Sequence, residues 1–568
     1  MKFIVLADYL LRLEKENSRN KITEILSDLF KKSSVDEIDK IVYLVLGRLA
    51  PNYQGLVLNI AEKMMLRVLS KASKKDEKEV LDLYKKKGDL GDVAFEIVKG
   101  SKKGLEVSDV YKKLVDIAKD SGDGSQERKV TKTAQILSEL DPLSSKYISR
   151  IPVGKLRLGF SDMTILDALS YMLMGDKSAR KEIEAAYNVS VDVGKIAKIV
   201  KEKGLSKINE IEACAGTPIR PALAERLPSA EKMLEKVGKK VFIEPKYDGF
   251  RTQLHIFKEG GEKKVLIFSR NLELTTHMFP DLVEAALKID VDEAIFDGEA
   301  IAYDEKNDRF LPFQETVQRK RKHGVKQAVK DVPLKLFVFD VLFKDGKSFL
   351  KYPFDKRRKI LEKIDFSDKR IEITRQEVVE SADKIRDLIK KYLAEGLEGA
   401  MIKKIDALYK PGARGYHWVK YKKTTEEGVA DTIDCLVMGT YEGKGKRSSF
   451  GAGAFLVGIK DKSKFKTVSK IGTGLTDEQW KELFQRTQKI QTNKKPDSFI
   501  VDKNLYPDTW VKPSLVVEIL ADEITKSPIH SALLALRFPR LVRFRDDKKA
   551  KEANSLKELK KLFEMQKI

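Results

Sequence analysis

Val241-Phe-Ile-Glu-Pro-Lys-Tyr-Asp-Gly-Phe-Arg251 is an apolar run that ends in a lysine, which an Asp-Gly pair and an arginine follow closely. The run predicts a β-strand that delivers Lys246, and the Asp-Gly pair predicts a tight turn that exposes this lysine. Arg251 adds a fixed positive charge of the kind that binds a phosphate. Alone, the pattern also fits the tip of a surface hairpin, so the downstream residues must decide between a reactive lysine and a simple turn.

Four later stretches supply groups that a reactive lysine needs in order to act on a nucleotide. They are Phe268-Ser-Arg-Asn271, Phe296-Asp-Gly-Glu299, Glu395-Gly-Leu-Glu-Gly-Ala-Met-Ile-Lys403 and Trp418-Val-Lys-Tyr-Lys422. Arg270 suits a ribose, a phosphate or a DNA terminus, and Glu299 and Glu398 bring carboxylates. Lys420 and Lys422 share one face of a strand, because side chains two residues apart point the same way. Each stretch alone is ordinary, and their joint occurrence in this order indicates a nucleotidyl-transfer site.

The composition limits the partner and the compartment. Lys and Arg number 110 against 87 Asp and Glu in 568 residues, a formal net charge of +23. Such an excess fits a nucleic acid, an anionic membrane surface or simply a solvated charged surface. The distant Cys214 and Cys435 indicate neither a disulfide framework nor a zinc site. No secretory or membrane-spanning run is present, so we expect a cytoplasmic protein, and the 35% of charged residues suits a thermophile.

The periodicity of apolar residues divides the chain into three domains. Residues 1–216 show helical spacing, as in Ile22-Thr-Glu-Ile-Leu-Ser-Asp-Leu-Phe30, and predict an all-α domain. Residues 217–423 alternate short β runs with helical segments and predict an α/β domain. Residues 424–568 contain short strands between glycine-rich turns and predict a small β-barrel closed by a C-terminal helix.

The ordered motifs resemble those of the ATP-dependent DNA ligases of the archaeal and eukaryotic replicative type, in the covalent nucleotidyltransferase superfamily. Further matching stretches are Leu336-Phe-Val-Phe-Asp340, Tyr409-Lys-Pro-Gly-Ala-Arg-Gly-Tyr-His-Trp418 and Arg537-Phe-Pro-Arg-Leu-Val-Arg-Phe-Arg-Asp-Asp-Lys548. Outside the catalytic core, Gly88-Asp-Leu-Gly-Asp-Val-Ala94, Arg150-Ile-Pro-Val-Gly-Lys-Leu-Arg-Leu-Gly159 and Pro218-Ile-Arg-Pro-Ala-Leu-Ala-Glu225 resemble the helical DNA-binding domain of these ligases and its junction.

The resemblance implies an architecture and leaves two alternatives to test. It implies an all-α DNA-binding domain, an ATP-grasp-like α/β nucleotidyltransferase domain and an OB-fold β-barrel domain. The catalytic motifs alone would also fit an RNA capping enzyme or an RNA ligase, although the helical motifs would not. A third reading is a non-catalytic DNA-binding protein with a degenerate ligase core, which the completeness of the motifs disfavours.

The resemblance also implies roles for individual residues. Lys246 would attack the α-phosphate of ATP and carry AMP, which passes to the 5′-phosphate of a nick before the 3′-hydroxyl displaces it. Phe339 would stack on adenine, and Mg²⁺, replaceable by Mn²⁺, would bind Glu299 and Glu398. The residues implied in cofactor binding are Glu244, which would accept from the adenine amine, Arg251, Arg270, Glu299, Phe339, Arg414, Lys420 and Lys422. Those implied in orienting pyrophosphate are Arg537, Arg540, Arg543 and Lys548.

Partners and motion follow from the same resemblance. A monomer that encircles nicked double-stranded DNA predicts binding that ignores sequence and weakens with salt. Roles in DNA replication, repair and recombination and a nucleoid location are implied with it. Archaeal relatives bind a sliding clamp, but residues 99–111 lack the paired aromatics of the clamp peptide. We expect the barrel to swing about a hinge near residues 423–428 between the steps of the reaction. Whether NAD, ADP or GTP replaces ATP is left open.

Overall fold

The chain folds into two compact units, Met1–Tyr421 and Lys422–Ile568. The computed structural model describes residues 1–100, 104–154, 156, 158–227, 229–319, 324–422, 432–443 and 451–565. The first unit contains a helical region followed by an α/β region, and the second is rich in β-strands. The predicted order of a helical, an α/β and a β-rich part is confirmed. The three domain boundaries stay predictions, and the hinge near residues 423–428 lies outside the described residues.

The helical region runs through residue 212. Its helices are α1 (Phe3–Lys15), α2 (Arg19–Lys32), α3 (Ile38–Val45), α4 (Glu62–Ser73), α5 (Glu77–Lys87), α6 (Leu90–Ile97), α7 (Val107–Lys119), α8 (Ser125–Glu139), α9 (Pro142–Arg150), α10 (Asp162–Met174), α11 (Arg180–Ser190) and α12 (Val193–Lys203). Several begin at an aspartate whose carboxylate accepts from an N–H of the first turn, as Asp76 does for α5 and Asp192 for α12. Their apolar faces share one core, which the helical spacing of apolar residues predicts.

The two motifs quoted from the helical region pack against each other. Arg150, at the end of α9, has a side chain only 2% exposed, and its Nε donates to Asp89 Oδ1 over 2.9 Å. Its Nη1 and Nη2 reach Glu14 over 3.0 Å and Asp92 over 3.4 Å. Asp89 is also the N-cap of α6, and a Cβ on Gly91 would lie 2.5 Å from Arg150 Nε. A buried ion pair and a close helix contact therefore join α6 to α9.

The α/β region consists of two sheets and the helices packed on them. Its strands are β1 (Leu223–Arg226), β2 (Val241–Lys246), β3 (Phe250–Glu259), β4 (Glu262–Ser269), β5 (Ala294–Asp304), β6 (Arg309–Phe310), β7 (Leu334–Lys344), β8 (Lys347–Ser348), β9 (Ile371–Ile373), β10 (Glu377–Val379), β11 (Gly399–Lys404) and β12 (Arg414–Lys422). Its helices are α13 (Ala230–Val237), α14 (Pro280–Leu287), α15 (Phe313–Val317), α16 (Val325–Asp331), α17 (Phe354–Leu361) and α18 (Ala382–Ala394). The first sheet has the order β1-β12-β11-β2-β10. The second has the order β4-β3-β5-β7-β8, with β6 paired to β5 and β9 to β7.

The stretch around Lys246 connects these two sheets. β2 pairs with β10 and β11 in the first sheet, whereas β3 pairs with β4 and β5 in the second. Lys246 is therefore not the tip of a hairpin, and residues 247–249 lead from one sheet to the other. Gly249 is required by close approach, since a Cβ on it would lie 2.2 Å from the carbonyl oxygen of Ala300 on β5.

The second unit contains a large sheet and a short hairpin. Its elements are β13 (Ile433–Tyr441), β14 (Ala454–Asp461), β15 (Lys464–Ile471), α19 (Asp477–Gln488), β16 (Gln491–Thr492), β17 (Phe499–Ile500), β18 (Thr509–Val511), β19 (Val516–Leu520), β20 (Glu523–Lys526), β21 (Leu534–Arg537), β22 (Arg540–Phe544) and α20 (Leu556–Met565). The sheet has the order β16-β18-β13-β14-β15-β17, with β19 paired to β13 and β22 to β19, and β20 pairs with β21. Trp480 of α19 and Leu559 of α20 complete its apolar core. In the described part of the chain, no helix is both long and apolar enough to cross a membrane.

Candidate active site

Lys246 lies at the end of β2, where the chain leaves the first sheet. β11 runs antiparallel to β2 and pairs Gly399 with Lys246, so Glu398 is held beside the lysine. The backbone N–H of Glu398 donates to the carbonyl oxygen of Lys246 over 2.9 Å. The side chains form an ion pair between Lys246 Nζ and Glu398 Oε2, with 20% and 19% of their surfaces exposed. A charged nitrogen and a carboxylate thus meet where solvent and substrates can reach them.

Glu299 brings a second carboxylate to this place. It lies on β5 opposite Arg251 of β3 in the strand register. Burial raises the pKa of Glu299 to about 7, and the positive charges of Lys246 and Arg251 oppose this rise. The negative charge of Glu398 adds to the rise, because two carboxylates near each other resist ionising together. The carboxyl group of Glu299 therefore lies within the field of the Lys246–Glu398 pair and changes charge near neutral pH.

Arg251 is held by protein groups on all three nitrogens. Its Nε and Nη2 donate to the two oxygens of Asp297 over 3.0 and 2.6 Å, and its Nη1 donates to the carbonyl oxygen of Ala222 over 2.6 Å. Burial lowers the pKa of Arg251, but the charges of Asp297, Tyr409 and Glu299 and the hydrogen bonds to Asp297 together raise it more, so the net shift is upward. The predicted fixed charge is present, already balanced by Asp297. Asp297 was not predicted as a site residue, although it stands two residues before Glu299 in a quoted motif.

Lys403, which was not predicted as a site residue, contacts both Glu244 and Phe339. Glu244 is 2% exposed; its Oε2 lies 2.6 Å from Lys403 Nζ, and its Oε1 accepts from Gln376 Nε2 over 2.8 Å. Lys403 Nζ lies 4.6 Å from the ring centroid of Phe339, and the guanidinium of Arg251 lies 5.5 Å from it. Burial lowers the pKa of Lys403, with Glu244 opposing. Lys403 closes a quoted motif, whereas nothing in the sequence points to Gln376.

The other predicted residues of the first unit are more widely spread. Arg414 begins β12 and is exposed, and Lys420 lies on the same strand opposite Arg226 of β1. The side chain of Lys422 lies outside the described part of the chain. Arg270 lines a cavity of about 350 Å³ whose walls include Arg48 of the helical region.

The four basic residues predicted to orient pyrophosphate belong to the second unit. Each one pairs there with an acidic side chain: Arg537 with Glu523, Arg540 with Asp522, Arg543 with Glu518 and Lys548 with Asp434. A role for these four at Lys246 would require the pairs to exchange their carboxylate for a phosphate. Arginine suits such an exchange, because its planar fork fits both anions.

Two carboxylates, those of Glu299 and Glu398, suit a divalent cation. Within the described ranges, no group of three or more His, Cys, Asp or Glu side chains could hold a metal ion. Mg²⁺ commonly uses one or two protein carboxylates and completes its shell with phosphate oxygens and water. The donor set therefore fits Mg²⁺ shared with a phosphate-bearing substrate, not a cage made of protein ligands alone.

Comparisons with known proteins cover the whole chain. Family models match at residues 2–170 (DNA ligase N terminus), 221–422 (ATP dependent DNA ligase domain) and 446–548 (ATP dependent DNA ligase C terminal region). A probable DNA ligase of Dictyoglomus thermophilum is 42% identical, covering 100% of this chain and 98% of that protein. A DNA ligase of Sulfurisphaera tokodaii is 37% identical at the same coverage. The solved structure Pmar-Lig_Pre covers 95% of this chain and 99% of its own, with a TM-score of 0.54 and 18% identity, a likeness of fold alone.

Proposed function

Because the chain belongs to the ATP-dependent DNA ligase family, we propose that it seals nicks in duplex DNA through an AMP adduct on Lys246. One observation supports this most: Lys246 lies at the crossing of two sheets, paired with Glu398 and within the field of Glu299. A lysine nucleophile, two carboxylates and a nearby aromatic ring are the groups that adenylyl transfer needs. This arrangement favours an active ligase over a protein whose ligase core has degenerated.

In the first step, Lys246 Nζ attacks the α-phosphorus of ATP. The new N–P bond forms as the bond from phosphorus to the pyrophosphate oxygen breaks, and the amine loses a proton. The ion pair with Glu398 suits the ammonium form, whereas attack needs the neutral amine, so the pair must open before the reaction. Phe339 would stack on the adenine, and Glu244 would accept from its exocyclic amine.

Glu299 and Glu398 are the residues that would hold Mg²⁺. When bound there, the cation would neutralise charge on the phosphate oxygens. The residues themselves do further work: Glu398 is the group that must release Lys246, and Glu299 must be ionised to serve as a ligand. Lys420 and Lys422 are proposed to offset phosphate charge, and Arg270 and Arg414 to contact nucleotide or DNA.

The later steps require nicked duplex DNA held in register. We propose that AMP passes from Lys246 to the 5′-phosphate and that the 3′-hydroxyl then displaces it. The excess of basic residues supports a protein that contacts many phosphates. On this proposal the middle domain is ATP-grasp-like, the β-rich unit is an OB-fold barrel, and Arg537, Arg540, Arg543 and Lys548 orient pyrophosphate. A cytoplasmic, nucleoid-associated monomer acting in replication, repair and recombination, with a sliding clamp as a further partner, belongs to the same proposal.

Adduct formation tests the proposed function directly. The protein is incubated with Mg²⁺ and ATP labelled at the α-phosphate, then denatured in acid, and the label that stays on the protein is counted. We expect label on the wild type and none on Lys246→Ala. Lys404→Ala is the matched control, because Lys404 lies on β11 with about half of its side chain exposed and pairs only with Asp406 among the contacts described for it. Label retained by Lys246→Ala would refute the mechanism.

Sealing assays then define the substrate and the cofactor. Nicked DNA duplexes and RNA ends are offered separately, each with ATP, GTP or NAD. We expect nicked DNA to be joined with ATP. Joining restricted to RNA would contradict the proposed function, even if Lys246 carries the adduct.

A further inference from the structure

Residues 213–222, called here the linking segment, lead from the helical region into the α/β region along β3. Three side chains of β3 hold its backbone. Gly216 N–H donates to His255 Nδ1 over 3.1 Å, Ile219 exchanges two hydrogen bonds of 2.7 and 3.0 Å with the amide of Gln253, and Ala222 O accepts from Arg251 Nη1 over 2.6 Å. Arg251, Gln253 and His255 alternate along the strand, so they project from one face.

These contacts are buried, and the protonation state of His255 is fixed. Gln253 is 4% exposed and His255 is fully buried. Burial lowers the pKa of His255 to about 3, so the imidazole is neutral at any working pH. Its Nδ1 accepts from Gly216, which leaves the proton on Nε2, 3.0 Å from Gln253 Oε1. The linking segment is therefore held in one register on β3.

The hydrogen bond from Arg251 to the carbonyl oxygen of Ala222 belongs to a closed network that includes Tyr409. Ala222 N–H donates to Tyr409 Oη over 3.1 Å, and Tyr409 Oη donates to Asp297 Oδ2 over 2.8 Å. Asp297 accepts twice from Arg251, and Arg251 donates back to the carbonyl oxygen of Ala222. Tyr409 is 3% exposed and Asp297 is 1% exposed. Four segments distant in the sequence thus meet in one buried set of hydrogen bonds, called here the Ala222 network.

Tyr409 has a particular place in the Ala222 network. Its hydroxyl is the acceptor for the linking segment and a donor to Asp297, the carboxylate that orients Arg251. Without the hydroxyl, the buried Ala222 N–H would lose its acceptor and Asp297 would lose a donor, so both would shift to find new partners. Arg251 would follow Asp297, because two parallel hydrogen bonds join them. Glu299 lies directly opposite Arg251, so the shift would be felt at the reacting groups.

We propose that Tyr409 is a positioning residue for nick sealing, which acts by fixing Arg251 through Asp297 and by tying it to the linking segment. This inference rests on the proposed function and adds a residue to it. It also gives the linking segment a role, since it couples the helical region to the groups around Lys246 through backbone contacts.

Tyr409→Phe tests the proposal, because it removes the hydroxyl and keeps the ring. Rates of sealing are normalised to the fraction of molecules that form the AMP adduct, so unfolded protein does not count. We expect kcat to fall about ten- to hundredfold, with KM for ATP and for nicked DNA within twofold of wild type. Tyr392→Phe is the control, since Tyr392 is buried in the same region but lies outside the Ala222 network. An unchanged kcat in Tyr409→Phe would overturn the proposal.

A double-mutant cycle separates positioning from general structural damage. Tyr409→Phe is introduced into Arg251→Lys, which keeps the charge but loses the fork that spans Asp297 and Ala222. We expect no further loss beyond twofold, because the effect of Tyr409 passes through Arg251. Equal fold-losses in the two backgrounds would show that Tyr409 acts by another route and would overturn the proposal.

Gln253→Met provides a second variant if Tyr409→Phe does not fold. It frees Ile219 from β3 and should loosen the linking segment next to Ala222. We expect the same loss in kcat per active site with little change in KM; a loss of thermal stability with unchanged kcat would overturn the proposal. A wild-type protein that forms no AMP adduct would refute the proposed function instead, so the two failures are distinguishable.

Discussion

The ion pairs at Arg150 and at Lys246 each join a positive side chain to a carboxylate, but they lie in different surroundings. The side chains of Arg150 and Asp89 are 2% and 3% exposed, whereas those of Lys246 and Glu398 are 20% and 19% exposed. A buried pair cannot open without leaving a charge in an apolar medium, so it serves to join elements. A pair that is about one fifth exposed opens at lower cost and can release its lysine for reaction. Burial therefore adds to the difference in residue type: the buried guanidinium serves the structure, and the more exposed lysine can react.

The largest expected effect comes from making the same substitution at both pairs. Lys246→Met should abolish the AMP adduct, because no nucleophile remains, and should leave thermal stability close to wild type. Arg150→Met should lower the free energy of unfolding by about 3–5 kcal/mol, because it removes the positive charge that balances the buried carboxylate of Asp89. Folded Arg150→Met should still form the adduct. Adduct assays and denaturant unfolding on both variants measure the two effects.

Similar behaviour of the two variants would contradict the distinction between a structural pair at Arg150 and a reactive pair at Lys246. A loss of adduct in folded Arg150→Met would mean that the helical region contributes to the first chemical step. A loss of stability in Lys246→Met as large as in Arg150→Met would mean that the Lys246–Glu398 pair is also structural.

Glycine substitutions give the next largest effect, since each site has a glycine in close contact with a neighbouring backbone. A Cβ at position 91 would lie 2.7 Å from the carbonyl oxygen of Lys146, and one at position 249 would lie 2.2 Å from that of Ala300. Gly91→Ala and Gly249→Ala should each lower the free energy of unfolding by about 1–3 kcal/mol through overpacking. Only Gly249→Ala should also slow adduct formation per folded molecule, because the passage from β2 to β3 carries Lys246. Equal adduct rates in the two variants would contradict this.

The carboxyl group of Glu299 predicts that adduct formation and stability both depend on pH. Its pKa of about 7 means that the carboxyl group binds a proton near neutral pH and then cannot bind a cation. The Mg²⁺ concentration that half-saturates adduct formation should be about tenfold higher at about pH 6 than at about pH 8. Folding raises the pKa of Glu299, so the protonated carboxyl group stabilises the folded state at low pH. This contribution is lost as pH rises through about 7. The melting temperature of wild type relative to Glu299→Gln should therefore fall between about pH 4.5 and about pH 7. A difference that stays constant over this pH range would exclude the assignment.

The sequence predicted the order of elements well and the contacts between them poorly. Apolar spacing identified the helical, α/β and β-rich parts, because each period reports on local geometry. The quoted motifs contain Lys246, Glu398 and Glu299, which the structure brings together. The alternative in which Lys246 is the tip of a hairpin was wrong, since whether β2 and β3 share a sheet depends on pairings with distant strands.

Two of the residues that were not predicted from the sequence share one physical cause. Gln376 and Tyr409 act through hydrogen bonds to residues more than a hundred positions away in the sequence. No periodicity or local spacing encodes such a partner. Arg270 illustrates the same limit of sequence-based prediction. The sequence predicts that it ends a strand but does not predict which surface it faces. In the structure it faces a cavity that residues of the helical region also line.

We expect the weakest effect at Arg543, whose charge already lies mostly in water. Its side chain is 61% exposed, and its Nε donates to Glu518 Oε2 over 2.6 Å. Arg543→Gln should cost less than about 1 kcal/mol of stability, because the arginine charge is already largely solvated and Glu518, which is 13% exposed, keeps its hydrogen bond from Thr432. If Arg543 orients pyrophosphate, the same variant should slow adduct formation from ATP while sealing of a pre-adenylated nick stays unchanged. Arg309→Gln is the control, since Arg309 is 65% exposed and pairs with Asp304 in the other unit. Equal adduct rates in the two variants would mean that Arg543 is only a solvated surface charge. Some exposed charged residues would then serve neither the structure nor the chemistry, so exposure alone would not identify a reactive pair.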